Sequence, residues 1–282
     1  MSRIKRGWEL TKKSWAVLRE NRSLVRFPLY GGVATIAMAV IVIGPGLYLI
    51  EDDKMAPGAP LVVIGLYILA FIGFYFNVGL AACADRIFRG EQASFSDGMA
   101  VARSRTGPIA AWAALATTVG LLLNLLAEEG GVVGSIVGRL LSVGWSLITF
   151  LAVPVIAFEG TGAFGTLKRS STLFRERWGQ QITGNIAIGG AVALFGILPS
   201  VLLAAAGVAI WSTAGFVGAL LVIVGVIGFA ISALISQALS GIFGVALYRY
   251  ASEGQAVGGF SADDMESAVK RRKGAGPAPA TI

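Results

Sequence analysis

The sequence predicts an all-α polytopic membrane protein, with six transmembrane helices and two or three amphipathic helices at the membrane surface on the cytoplasmic side. Three observations carry that prediction. Hydrophobic residues make up 55% of the 282 positions and charged residues only 14%, against about 25% charged in an ordinary soluble domain. The apolar residues gather in runs close to the roughly 20 residues a helix needs to cross a bilayer. The cationic residues fall almost entirely in alternate connections between those runs.

Taken in order, the chain opens on a charged arm of about 26 residues, too long for a signal peptide and without a small-residue cleavage site. The first span is therefore expected to stay as an anchor. Spans are predicted at Phe27–Ile50, Pro60–Ala84, Ile109–Ala127, Leu140–Phe158, Gly184–Trp211 and Phe216–Tyr248. The Gly and Pro in "IGPGLY" and "GILPS" are tolerable in membrane helices and predict kinks. Eight Lys/Arg lie in the opening arm, four between spans two and three, four between spans four and five, and five in the tail. The opposite face carries Lys54 and five acids in "EDDK" and "EEGG", and Arg139 falls inside or beside a span. The positive-inside rule then places both termini in the cytoplasm of a cell membrane. Residues 1–250 read as one integral membrane domain. Residues 251–282 read as a basic cytoplasmic tail, with a short helix capped by Ser261 and Asp264 and a disordered "GAGPAPATI" end.

One phrase is written twice. "IKRGWELTKKSW" begins at Ile4, and "LKRSSTLFRERW" begins 163 residues later at Leu167. A Lys-Arg pair, a Leu, a basic residue and a Trp recur at the same offsets. On a helical wheel Ile4, Trp8, Thr11, Trp15 and Leu18 form one stripe, with Lys5, Arg6, Lys12, Lys13 and Arg19 opposite. The second copy places Phe164, Leu167, Ser171, Phe174 and Trp178 on the corresponding stripe. A helix basic on one side and Trp-bearing on the other suits the headgroup boundary. It serves either as a topology anchor or as a site for anionic lipid or a partner protein. Each cation near an anionic leaflet contributes about 1 kcal/mol. The candidate residues are Lys5, Arg6, Trp8, Trp15, Lys168, Arg169, Arg175 and Trp178. Leu10 and Leu173, equivalent positions on the charged face, point to contact with protein. A third, weaker copy by layout begins at Phe95, with Asp97 or Ser96 as its expected cap and with Arg103 and Arg105. Three parallel units follow, at 1–84, 85–158 and 159–250, each an interfacial helix and two spans.

Within the bilayer, Arg139 reads either as a residue snorkelling toward the outer interface beside Glu128 or Glu129 or as part of a transport site. Arg139, Asn124, Ser236 and Gln237 are the candidate lining of such a cavity. Ser232, Ser236, Ser240 and Gly244 recur every four residues and predict a packing seam, and Gly130, Gly134 and Gly138 form a similar series. Glu159 is expected to pair with Lys168 or Arg169 and set an elbow. Cys83 is expected to fill packing space.

No catalytic set emerges. The chain has no histidine, its acids form no spaced ligand set, and neither a phosphate-binding loop nor a dinucleotide fingerprint is present. No enzyme activity and no cofactor is expected, and the basic patches flank spans, which points to a membrane surface and away from nucleic acid. The stretch "VPVIAFEGTGAFGTLKRSSTLFRERWG", with the opening "IKRGWELTKKSW" and "RFPLY", resembles a family of bacterial six-helix integral membrane proteins without an assigned function. It is more distantly similar to the membrane domain attached to some glycerophosphodiester phosphodiesterases. These residues hold no counterpart of the catalytic domain of those enzymes, so the resemblance implies no phosphodiesterase activity. The expected function is a non-enzymatic membrane scaffold or accessory protein that engages anionic lipid, a protein partner or a second copy. The alternative is a transporter or channel for a small or lipid-like solute.

Overall fold

The computed structural model describes residues 3–52, 54–129, 131–178 and 196–262, with the side chains of 3–10, 129, 131–133 and 177–178 left out. Every regular element among them is helical. In chain order these are α1 (Arg3–Glu20), α2 (Arg26–Met38), α3 (Gly44–Glu51), α4 (Met55–Phe88), α5 (Phe95–Ser104), α6 (Thr106–Glu129), α7 (Gly131–Thr149), α8 (Ala152–Glu159), α9 (Ala163–Trp178), α10 (Leu198–Ala209) and α11 (Gly215–Glu253). Five stretches are long and apolar enough to cross a membrane: Arg22–Glu51, Met55–Phe88, Thr106–Glu128, Gly134–Glu159 and Gly215–Glu253. The predicted span Gly184–Trp211 lies largely outside the described residues; its described part is the shorter apolar helix α10. The predicted tail cap at Asp264 also lies outside them. At most 33% of the most apolar window of any span is buried among the described residues, so these apolar residues are not enclosed as a soluble core would be.

Proline sets the irregularities. A prolyl ring lacks the N–H that the carbonyl four residues earlier would accept, and it crowds that carbonyl. Pro45 follows a π-helical turn at Ala39–Ile43, Pro199 follows another at residues 196–197, and Pro154 follows the break at residues 150–151 that separates α7 from α8. Both predicted kink phrases therefore sit at widened turns. The third break divides the predicted fourth span.

The chain forms two compact units, Met1–Val17 with Leu173–Ile282, and Leu18–Thr172. In the second, α4 is the centre, and α2, α3, α5, α6 and α8 pack on it while α7 pairs with α6. Its core gathers at one end of the spans, where Phe27, Leu80, Cys83, Ala102, Ile109, Trp112, Leu151 and Ile156 are all buried. Cys83 fills packing space as expected, and its thiol donates to the Ser94 carbonyl at 3.1 Å. In the first unit the buried residues concentrate in the C-terminal part of α11, between Ala238 and Ala251, with Phe260 and with Val17, Leu173 and Phe174 also buried.

Small residues pack the hairpins, though not all where the four-residue spacing predicted. Along α11, Ser232 donates back to the Gly228 carbonyl, and a methyl on Gly244 would meet nothing within 4 Å among the described residues. The close approach comes earlier on the same helix. A Cβ on Gly218 would stand 2.7 Å from the Gly207 carbonyl oxygen, and one on Gly225 the same distance from the Ser200 carbonyl oxygen. Gly218 and Gly225 are seven residues apart, about two helical turns, which keeps them on one face. The Gly134 and Gly138 series is a true contact: a Cβ on Gly134 would lie 2.7 Å from the Leu126 carbonyl oxygen, and one on Gly138 2.9 Å from Ala127 Cβ.

Candidate functional site

The repeated phrase buries the same face in both copies. In α1 the buried side chains are Thr11, Ser14, Val17 and Leu18; in α9 they are Thr166, Ser170, Leu173 and Phe174. Aligned by the phrase, Thr11 matches Phe174, and the two sets continue one another at steps of three and four. Leu173, singled out as misplaced on a charged face, is only 2% exposed. The buried stripe is rotated from the predicted one. Trp15 is 45% exposed and Phe164 77% exposed, while small hydroxyl residues take the inner positions. In α9 local bonding holds them there, whereas the Ser14 hydroxyl of α1 is buried without a hydrogen-bond partner among the described residues. Ser170 donates its hydroxyl to the Ile148 carbonyl beside the α7–α8 break. Thr166 donates to the Thr161 carbonyl at 3.0 Å. The bulky rings of Trp15 and Phe164 are left outward.

Lys168 and Arg175 are exposed on the opposite side of α9. Arg169 is not available in the same way: its Nε donates to Glu159 at 2.8 Å, the pairing expected for the elbow. Gly160, between them in the chain, has φ +64° and abuts the Arg105 guanidinium, so a side chain there meets both strain and a collision. The side chains of Lys5, Arg6, Trp8 and Trp178 lie outside the described residues.

At the α4–α5 turn the cap is Ser94, not Asp97 or Ser96. The Asp97 amide donates to the Ser94 hydroxyl and the Ser94 amide donates to the Asp97 carboxylate at 2.9 Å, a reciprocal box. Ser94, Ser96 and Asp97 lie within four residues, so residue type alone does not single out the cap. Hydrogen bonds from Ser94, and then the charge of Arg86, hold the Asp97 pKa below the usual aspartate value. Arg86 reaches both Glu91 at 3.1 Å and Asp97 at 3.4 Å, and Arg89 reaches the buried Asp85 at 3.1 Å.

A third feature lies between α4, α6 and α7. It is a groove of about 400 Å³, within the roughly 300–1,000 Å³ range of pockets that hold drug-sized molecules. Thr117, Asn124, Ser142, Trp145 and Ser146 supply its polar and aromatic lining. Trp145 stacks on the fully buried Trp112, with centroids 6.1 Å apart and planes 8° apart, giving the groove a stiff wall. The Thr117 hydroxyl is buried without a hydrogen-bond partner, and Asn124 has none among the described residues. Of the four predicted cavity residues, Asn124 lines this groove. Arg139 is exposed on α7 outside the lining, and Ser236 and Gln237 are half-buried on α11 in the other unit. Thr117, Ser142 and Ser146 were missed; the signal was their spacing, seven residues from Thr117 to Asn124 and four between the serines, which puts each pair on one helix face.

A family of unknown function, DUF6159, matches residues 58–259. The chain belongs to that family. No curated protein and no solved structure matches it. The DUF6159 match begins within α4 and runs past the end of α11, so it takes in the groove, the α4–α5 turn, the Glu159 elbow and the second copy of the basic phrase. The first copy, in α1, lies before the matched range.

Proposed function

We propose that the protein sits in the cell membrane with both termini in the cytoplasm and acts as a non-enzymatic scaffold or accessory protein. It engages anionic lipid, or an acidic partner, through α1 and α9. One observation supports this most: two helices with the same phrase bury the same face and leave Trp15, Lys168 and Arg175 outward. An outward Trp beside outward cations is the chemistry of the headgroup layer. The bare basic residues are Lys168 and Arg175, whereas Arg169 holds the elbow. The three-unit layout, a short helix before each pair of spans, belongs to the same reading.

The test is a double charge reversal, Lys168→Glu with Arg175→Glu, in the full chain. Each cation removed from an anionic surface costs about 1 kcal/mol, so two weaken binding about thirtyfold. Native mass spectrometry with phosphatidylglycerol retained is expected to show that loss without a change in melting temperature. Equal retention in the variant sinks the reading. For topology, cysteines at positions 12 and 175 in a Cys83→Ala background are expected to resist an impermeant thiol reagent added to intact cells. The groove supports a second reading, a transporter of a small or lipid-like solute; no solute or lipid movement in proteoliposomes removes it.

A further inference from the structure

The α6–α7 hairpin carries a second set of groups, apart from the basic helices. On α6, Thr117, Asn124 and Glu128 are separated by seven and four residues. On α7, Arg139, Ser142 and Ser146 are separated by three and four. Both spacings hold their residues on one helix face. The antiparallel pairing of α6 with α7, fixed by Gly134 at Leu126 and Gly138 at Ala127, brings Arg139 to about the level of Asn124. From Thr117, near the middle of the Thr106–Glu128 span, to Asn124 is seven rises of about 1.5 Å, or about 10 Å toward the turn. The groove thus runs from mid-bilayer toward one interface. Asn124 is exposed near its outer end, and Arg139 lies one turn beyond Ser142.

Thr117 and Asn124 lack partners among the described residues, whereas Ser142 donates to the Gly138 carbonyl at 2.8 Å. A carboxamide that faces hydrocarbon without a partner leaves a costly deficit, because hydrocarbon offers no hydrogen bonds. Arg139 is exposed and has no ion-pair partner among the described residues, and its side chain is long enough to reach the interface. From the interface inward the order is a guanidinium, a carboxamide, then hydroxyls along an apolar wall with a flat indole. A glycerophospholipid has the complementary order: phosphate, ester carbonyl, acyl chain. The groove is smaller than a whole phospholipid, which suits one chain with its ester and leaves the headgroup outside.

We propose that this groove binds a single glycerophospholipid from the leaflet at the α6–α7 turn, with its phosphate on Arg139, an ester carbonyl on Asn124 and one acyl chain along Thr117, Ser146 and Trp145. Asn124 donates its amide N–H to the ester oxygen. The site goes beyond the basic-helix reading, since it uses other residues on another part of the chain.

The experiment places the full chain in phosphatidylcholine vesicles doped with phosphatidylglycerol that carries a diazirine in one acyl chain. After irradiation, label is expected in the peptides spanning 117–124 and 142–146. Asn124→Leu, close in volume and at home in lipid, is expected to lower that label about fivefold, the worth of one hydrogen bond. Arg139→Gln lowers it at least as much, and Arg139→Lys retains it. A diazirine diacylglycerol, which lacks the phosphate, labels the same peptides at least about fivefold less, as loss of a hydrogen bond to a charged group demands. Lys168→Glu with Arg175→Glu leaves the groove label unchanged, so failure of the basic-helix reading is separable from failure here. Label spread evenly over the lipid-facing spans, or label insensitive to Asn124→Leu and Arg139→Gln in variants with the parent's melting temperature, overturns the site. Where both variants lose their fold, the parent decides: equal groove label from the diacylglycerol and the phospholipid also overturns it.

Discussion

The turn from α4 into α5 and the turn from α10 into α11 both reverse an apolar helix, yet opposite means hold them. At the first, two glycines bring backbones together, and polar groups then fasten the junction. Gly79 and Gly98 abut each other, Ser23 donates to the Ala93 carbonyl at 3.2 Å, and Arg86 and Arg89 bridge three acids. Phe95 packs on Phe27 with centroids 4.7 Å apart. At the second, the approach of Gly218 to Gly207 and of Gly225 to Ser200 is steric fit alone, and the Ser200 hydroxyl turns back to the Gly196 carbonyl of its own chain segment at 2.7 Å. The difference teaches where each driving force operates. Charged side chains and a buried apolar core belong where water reaches, because the hydrophobic effect needs water outside. Between helices bathed in lipid, that drive is gone and close packing of small residues replaces it.

The comparison is open to direct attack. The largest effect is expected from Gly98→Ala, whose methyl would collide with the Gly79 carbonyl oxygen and stand 2.5 Å from Phe27 Cζ and 2.8 Å from Cys83 Sγ. A junction fastened on all sides cannot yield, so a loss of about 3 kcal/mol follows, read as a lower melting temperature in detergent. Gly218→Ala places its methyl against backbone too, but α10 can shift against fluid lipid. About 2 kcal/mol is expected, and a loss larger than that of Gly98→Ala would reverse the argument. Ser94→Ala removes the cap and is expected to cost about 1 kcal/mol at neutral pH.

The same variant tests the sign of the Asp97 contribution. A carboxylate whose folded pKa is lowered stabilises above the ordinary aspartate value, near pH 4, and loses that contribution as pH falls through the lowered folded value. Thermal unfolding of parent and Ser94→Ala is therefore expected to converge in acid, below about pH 4. A gap that persists there means the cap acts without Asp97. The smallest effect belongs to Gly244→Ala. Among the described residues nothing lies within 4 Å of the added methyl, so the change is expected to stay within about 0.5 kcal/mol, on the stabilising side by helix propensity. A clear destabilisation would mean that Gly244 is closely packed, as the four-residue spacing predicts.

How much was legible differs by residue, for physical reasons. Glu159 with Arg169 was readable because ten residues and an intervening glycine turn leave few arrangements. Leu173 was readable as an anomaly: one apolar residue on a charged face is unstable unless something covers it. Pro45 and Pro199 announced their turns because proline acts on its own helix. Ser94 was obscured by Asp97, since both members of a capping box are plausible caps until the N–H directions are known. The groove was only partly legible. Asn124 stood out as an amide in a span, but Thr117, Ser142 and Ser146 are ordinary in membrane helices, and only the pairing of α6 with α7 makes them neighbours.

The sequence by itself determined that the chain is helical and apolar enough to cross a membrane several times, where its helices bend, and which connections carry positive charge. Those follow from rules local to each segment: in lipid a backbone must satisfy its own hydrogen bonds, and proline interrupts only the turn before it. The tertiary structure alone decided which glycines touch, which face of α1 and α9 is buried, and that Asn124 shares a groove with three hydroxyl residues. Such outcomes depend on the shapes of two surfaces meeting, and a helix carries several faces of nearly equal hydrophobicity from which its neighbours select one.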